Sequence, residues 1–294
     1  MTEPIVVGFD GSESSLRAVG WAGREAGIRD APLHIVHAAP SWSIDTLLVP
    51  EPPGWEVEGE AAARQRLKEA EIHARVGRPR LEVSTRIVAG PAGDVLVQEG
   101  EGAQLLVVGS RGRGGFAELL LGSVSRHVAT RAPCPVGVVR QPPADERGAV
   151  VVGVTGRSGQ EALLDFAFRE AALRRAVLRA VHAWTHPGTV TPWSVDPAVY
   201  DIETVGQEEA LLLAQVLAGW RGRFPDVEVV QQVVHEHPAK ALTDASAEAD
   251  VVVVGASHGA SQALLGLGGT AHAVLHHARA PVIVVRGRPA GMRP

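Results

Sequence analysis

The amino-acid sequence predicts an α/β fold made of two tandem, doubly wound domains, each built on a five-stranded parallel sheet. Two observations carry that reading. First, the chain reads twice. Ile5, Val6, Val7, Gly8 and Gly11 return as Val150, Val151, Val152, Gly153 and Gly156, an offset of 145 residues, and Leu33, Val36 and His37 return as Leu178, Val181 and His182 at the same offset. Val107, Val108 and Gly109 return as Val253, Val254 and Gly255, and Ala132, Pro135, Val138 and Arg140 as Ala278, Pro281, Val284 and Arg286, all at 146. One residue of drift over the whole repeat means one domain duplicated, and the period is far too long for a solenoid. Second, short apolar runs alternate with segments of helical periodicity inside each copy, the pattern of strands joined by crossover helices. The domains are expected at residues 1–143 and 147–290, joined by a short polar linker around 141–148.

Taken in order, the first copy opens with a strand over residues 5–9. Ser12 or Ser14 then caps a helix over 15–27, whose inner face carries Leu16, Val19, Ala22 and Gly23. The second strand covers 33–38. A loop bearing Pro and Trp (40–54) and a charged helix (58–76) lead to a third strand over 81–88, a helix over 92–101 and a fourth strand over 105–108. A helix over 123–130 ends before Pro133, and 136–139 is the fifth strand. The second copy repeats this order, with its long loop at 185–202. Right-handed crossovers with three strands wound one way and two the other give a doubly wound sheet, and ligands in such sheets lie beyond the carboxyl ends of the strands where the winding reverses. With strands one and four as neighbours there, Asp10 and Gly109 open onto one crevice.

Composition narrows the class. The 294 residues carry a net charge of −5 and no basic excess, so nucleic acid is not an expected partner. The single cysteine, Cys134, forms no internal disulfide, which fits a reducing compartment. The N-terminal residues lack the pattern of a signal peptide, and no run approaches the ~18 apolar residues of a membrane span. A cytoplasmic address without membrane association is expected.

The chemistry concentrates in residues 107–125. A buried strand runs into Gly109, Arg111, Gly112, Arg113, Gly114 and Gly115, then an apolar stretch, then Gly122 and Ser123 at the start of a helix. Glycines let the backbone approach a bound group and turn N–H donors outward, and a helix opening at Ser123 adds unpaired amides and the positive end of its dipole. Such an arrangement predicts a cradle for phosphates. Neither the P-loop pattern nor the dinucleotide fingerprint is present. Glycine-rich loops are also ordinary turns, and Asp10, followed by Gly11 and Ser12, could serve as a turn or helix cap.

At Gly109, Gly112, nine intervening residues, and Gly122-Ser123, preceded by the apolar strand and followed by Val124 and Ser125, the chain resembles the universal stress protein family in its tandem, ATP-binding form. The resemblance covers nearly the whole chain, the two mid-domain loops least. It implies a Rossmann-like fold of the adenine nucleotide alpha hydrolase type, with the two domains related by a pseudo-twofold and associated through strand five and its copy. It also implies a pose for ATP, with Mg²⁺ accompanying the phosphates. Gly8, Phe9 and Asp10 close the nucleoside end, Val36 and Ala38 line the base pocket, and Val108, Gly109, Arg111 and Gly112 approach the ribose and phosphates. Gly122, Ser123, Val124 and Ser125 hold the phosphate chain. Carboxylates accept from sugar hydroxyls while serine hydroxyls and amides donate to phosphate oxygens, so the chemistry suits each placement.

The second copy departs from this pattern. Ungapped, Thr155 stands for Asp10, Gly255 for Gly109, His258 for Gly112, Gly268 for Gly122, Gly269 for Ser123 and Ala271 for Ser125. A shifted register through Gly259, Gly269 and Thr270 restores the end of the motif. Binding of the same nucleotide in copy two and a purely structural or sensing role both stay open.

Twelve histidines raise the question of metal: His235 with His237 at a strand end, and His272 with His276 at helical spacing, form pairs without an evident third ligand. No metal site is expected from them. Cys134 reads as a small buried residue, and Trp42 and Trp55 either close over a base or pack on their own domain. The leading function is an ATP-binding stress-response regulator with adenine nucleotide as ligand, a homodimer, and a regulatory protein partner that the sequence does not name. A slow ATP hydrolase or phosphoryl donor, and a structural stress protein with a vestigial site, are the alternatives. No catalytic residue is assigned, because no second carboxylate, lysine or arginine is fixed by sequence near the expected γ-phosphate.

Overall fold

β1 (Ile5–Gly8), β2 (Leu33–Ala39), β3 (Val83–Ala89), β4 (Leu105–Gly109) and β5 (Val136–Val139) alternate with α1 (Glu13–Ile28), α2 (Trp55–Ala74), α3 (Ala92–Glu99) and α4 (Ser123–Arg131) in the first half of the chain. The second half repeats the order with β6 (Ala149–Gly153), α5 (Glu161–Arg174), β7 (Val177–Trp184), α6 (Ile202–Arg223), β8 (Val229–His235), α7 (Pro238–Ala245), β9 (Val251–Gly255), α8 (Gly269–His277) and β10 (Val282–Val285). This computed structural model describes residues 2–39, 55–112, 121–142, 145–156, 159–185, 202–256 and 266–287. The chain divides into two units, Met1–Pro142 and Pro143–Pro294.

In unit 1 the strands pair in parallel in the order β3-β2-β1-β4-β5. In unit 2 the corresponding order is β8-β7-β6-β9-β10, again parallel. The winding therefore reverses between β1 and β4, and between β6 and β9, as the expected doubly wound topology requires. Ile5, Leu33, Ile35, Leu105 and Leu106 in unit 1 and Leu178 and Ile283 in unit 2 are fully buried. Each such side chain contributes about 1.5–3 kcal/mol relative to exposure, and their position in strands covered on both faces explains why these runs read as continuous rather than alternating.

Local chemistry sets the helix ends. Ser12 caps α1 by accepting from the Ser15 N–H at 3.1 Å, so the helix starts two residues earlier than the periodicity places it. Of the expected inner face, Val19, Ala22 and Gly23 are buried, while Leu16 is half-buried. Gly23 is where α2 lies closest: a Cβ there would sit 2.7 Å from the Ala74 carbonyl oxygen. The third strand begins at Val83 rather than at residue 81, because the Leu81 N–H closes a turn on the Arg78 carbonyl at 3.1 Å. α2 begins at Trp55, ahead of the expected start at 58.

The duplication extends to buried charge. Glu25 pairs with Arg29 on α1, and Glu170 pairs with Arg174 on α5 at 2.7 Å, the same position in each copy. Both helices are followed by a non-glycine residue in the left-handed region, Asp30 with φ 48° and Arg175 with φ 52°.

Candidate functional site

The parallel register of β1 on β4, with Val7 opposite Val107, brings residues 8–10 beside residues 108–112 at the carboxyl ends of the strands. Gly11, with φ 82°, turns the chain there in a conformation that favours glycine. Asp10 is held on both sides of this turn: its N–H donates to Ser15 Oγ at 3.3 Å and its Oδ1 accepts from the Ser12 N–H at 2.9 Å. The other carboxylate oxygen faces the glycine-rich loop, since a Cβ on Gly112 would lie 2.6 Å from Asp10 Oδ2. Asp10 thus acts as a turn-former and also meets the glycine-rich loop at Gly112.

The remaining motif residues divide into packing and exposed groups. Gly8 is buried, and the space a Cβ would need is filled by Leu96 of α3 at 2.7 Å. Gly109 admits α1: a Cβ there would lie 2.8 Å from the carbonyl carbon and oxygen of Ser14. Ser14 Oγ also accepts from the Arg111 N–H at 3.3 Å, so the first turn of α1 braces the loop. Gly112 and Ser123 are exposed, while Arg111, Gly122 and Val124 are half-buried. The Gly122 N–H donates to the Ser110 carbonyl at 2.8 Å, closing the loop at its base and leaving Ser123 as the first residue of α4. At Gly122 a Cβ would meet nothing nearer than 3.5 Å, so packing does not demand glycine there.

Ser125 has a different place from the one expected. It is only 3% exposed, and its hydroxyl donates to the Gly109 carbonyl at 2.7 Å. A serine hydroxyl has one proton, and here that proton ties α4 to the end of β4 rather than pointing into the crevice. Val36 and Val108 are buried, Ala38 is half-buried, and the Phe9 carbonyl accepts from His37 Nδ1 at 2.8 Å. Arg113, Gly114, Gly115 and Trp42 lie outside the described residues.

Unit 2 reproduces the frame with other side chains. The Thr155 N–H donates to Gln160 Oε1 at 2.8 Å, as the Asp10 N–H does to Ser15, and Gly156 turns with φ 71°. The Gly268 N–H donates to the Ala256 carbonyl at 2.7 Å, and α8 starts at Gly269. The helix start therefore follows the ungapped register, in which Gly268 matches Gly122 and Thr270 matches Val124; Gly259 and His258 lie outside the described residues. Between these strand ends is a cavity of about 300 Å³ whose wall includes Thr155, His182, Gly255, Gly268, Gly269 and Thr270.

Sequence reasoning missed what three groups do: it offered Ser14 only as a helix cap and gave the other two no role. Ser14 braces the loop, Leu96 and its counterpart Leu242 fill the space beside Gly8 and Gly153, and His37 and His182 hold the carbonyl that ends strand one of each unit, His182 at 2.8 Å from the Val154 oxygen. The recurrence of histidine at the 145-residue offset was the available signal for the last pair. Of the histidines considered for metal, His235 stacks on Trp184 with ring centroids 4.3 Å apart, His237 caps α7 by accepting from the Ala239 N–H at 3.3 Å, and His272 lies against His276 with ring centroids 4.3 Å apart. Among the described residues no cluster of three His, Cys, Asp or Glu could hold a metal ion. Cys134 is buried, and burial pushes its thiol up to about 11.

A doubly wound α/β domain, duplicated, with a glycine-lined crevice at each winding reversal, defines the class of protein. The universal stress protein family matches residues 1–140 and again 146–286, and the chain belongs to that family. A universal stress protein of Mycobacterium tuberculosis is 40% identical over 291 residues, covering 96% of each chain. One from Mycolicibacterium smegmatis is 36% identical over 298 residues, covering 97% of each. Among solved structures, a universal stress protein from Archaeoglobus fulgidus aligns with a TM-score of 0.71 at 18% identity, covering 97% of this chain and 99% of that one, a likeness of fold. Among the described residues no helix is long and apolar enough to cross a membrane.

Proposed function

We propose that unit 1 binds ATP in the crevice between the ends of β1 and β4 and that the protein acts as a nucleotide-responsive regulator. The observation that carries the reading is the approach of Asp10 to Gly112, which makes the acidic strand end and the glycine-rich loop two walls of one site. Asp10 Oδ2 faces the loop as an acceptor suited to sugar hydroxyls, and the start of α4 offers the exposed Ser123 hydroxyl and first-turn amides to phosphate oxygens. Gly122 supports the same reading, because its lack of a side chain is not used in packing and suits close approach of a ligand. Mg²⁺ would enter with the phosphates, which supply most of its oxygen ligands in such sites. These donors bind phosphate without activating water, so retention rather than turnover of ATP is expected.

Isothermal calorimetry with ATP and Mg²⁺ on the full-length chain tests this. Asp10→Ala removes a charged acceptor worth about 1.5–3 kcal/mol, or roughly ten- to a hundredfold in affinity, whereas Thr155→Ala changes ATP affinity by less than about threefold. Equal losses from both variants would refute the assignment to unit 1. Steady turnover above about 1 s⁻¹, within the ordinary enzymatic range, would replace regulation by hydrolysis.

A further inference from the structure

The cavity of unit 2 keeps the frame of the nucleotide crevice but discards its charge. Its wall holds apolar groups from Val154, Val181, Leu242 and Ala271, together with Thr155 and His182, and no Asp, Glu, Lys or Arg among the described residues. Position by position, Asp10 has become Thr155, Arg111 has become Ser257 and Ser123 has become Gly269.

Among the described residues His182 is the one ionisable side chain in that wall, and the protein already uses both of its ring nitrogens. Nδ1 faces the Val154 carbonyl at 2.8 Å, and Nε2 faces the Glu209 carboxylate of α6 at 2.7 Å. A carbonyl only accepts, so Nδ1 carries a proton, and any positive charge on the ring is met by Glu209 rather than offered to a ligand. A polyphosphate placed here would meet first-turn amides but neither the hydroxyl of Ser123 nor the guanidinium of Arg111 that unit 1 offers, so less of its lost hydration is replaced. Uncharged polar groups fare differently. The first-turn N–H groups of α8 have no partner within their helix. At about 300 Å³ the space lies at the lower end of the range for small-molecule pockets, and its wall has their usual character, mostly apolar with a few placed polar groups.

We propose that unit 2 is a second ligand site, selective for an uncharged heteroaromatic compound of nucleoside size over a nucleotide polyphosphate. The nucleoside scale rests on the reading of unit 1 as an ATP site, whose frame unit 2 shares; the charge selectivity rests on the lining of unit 2. The two halves would then report different chemistry, a charged nucleotide in one and an uncharged relative in the other.

The test uses the full-length chain, saturated with ATP and Mg²⁺ and titrated with adenosine in a calorimeter. One adenosine per chain is expected, while ATP binds unit 2 at least about tenfold more weakly than adenosine does. Ala271→Leu, which adds volume to the cavity wall, is expected to lower adenosine affinity at least about tenfold and leave ATP binding in place. Because that substitution at the base of α8 could prevent folding, photolabelling of the ATP-saturated wild type with azidoadenosine provides an independent readout, with label expected in residues 153–155 or 268–271. The proposal is overturned if adenosine shows no binding at millimolar concentration, if it only competes with ATP, if ATP fills two equivalent sites per chain, or if the label falls only in unit 1. If ATP fails to bind while azidoadenosine still labels unit 2, the reading of unit 1 fails and the second site stands.

Discussion

Ser125→Ala separates a structural strut from a ligand donor. The hydroxyl is 3% exposed and donates to the Gly109 carbonyl at 2.7 Å, joining the first turn of α4 to the end of β4. Removing it takes away a hydrogen bond worth about 0.5–1.5 kcal/mol net, and a buried carbonyl left unsatisfied costs about 1–3 kcal/mol. Ala271 occupies the same place in unit 2 at 3% exposure, so alanine itself fits there and the cost in unit 1 is polar rather than steric. A destabilisation of about 1–2 kcal/mol follows. For a domain of this size it lowers Tm by roughly 2–8 °C. Scanning calorimetry, followed for the transition assigned to unit 1, reads that shift, and ATP titration of the same variant is expected to show less than about threefold loss. A Tm moved by less than about 1 °C together with a tenfold or greater loss of ATP affinity would show that the hydroxyl serves phosphate and that the strut assignment is wrong.

Two glycine variants distinguish packing from site. Gly109→Ala places a Cβ 2.8 Å from the Ser14 backbone and is expected to cost about 1–3 kcal/mol in urea unfolding, because neither backbone can yield easily. Gly122→Ala, with φ −71° and no contact under 3.5 Å, is expected to cost less than about 1 kcal/mol yet weaken ATP binding about tenfold or more; unchanged affinity would remove Gly122 from the site. The Cys134 thiol, raised by burial from its ordinary 9.0 to about 11, keeps its proton in the folded state at pH values where the unfolded chain has lost it. Its contribution to stability is full below pH 9 and is lost as pH rises from there to about 11, an effect that Cys134→Ala abolishes in unfolding measured across that range. Native-state labelling by a thiol reagent at pH 8 is accordingly expected to follow unfolding rather than direct attack.

The duplication made the fold legible. Two copies of each strand reinforce one another, so apolar runs such as residues 5–9 and 105–108 fall within a residue of β1 and β4, whereas the adjacency of strands one and four is a supposition in the sequence that the strand pairing supplies. Boundaries set by single side chains were less legible. Ser12, not Ser14, caps α1, and the choice depends on which hydroxyl reaches the Ser15 amide; Leu81 enters a turn because Arg78 presents a carbonyl to it. In the site, the type of residue predicted the kind of contact but not its direction. Ser123 and Ser125 are two positions apart on α4, about 200° around a helix axis, and face solvent and core respectively.

By itself, the sequence determined the α/β class, the tandem repeat, the family to which both halves belong and the positions at which unit 2 lost its charged groups, because these depend on residue identity and periodicity. Tertiary structure decided what each residue does. Gly8 and Gly109 are spent on close packing, Ser125 on a buried carbonyl and His182 on Val154 and Glu209, while Asp10 is brought against Gly112 from 102 positions away in the chain. Whether a polar group is committed within the protein or faces a crevice depends on neighbours supplied by distant segments, and no local pattern in one chain encodes those distances.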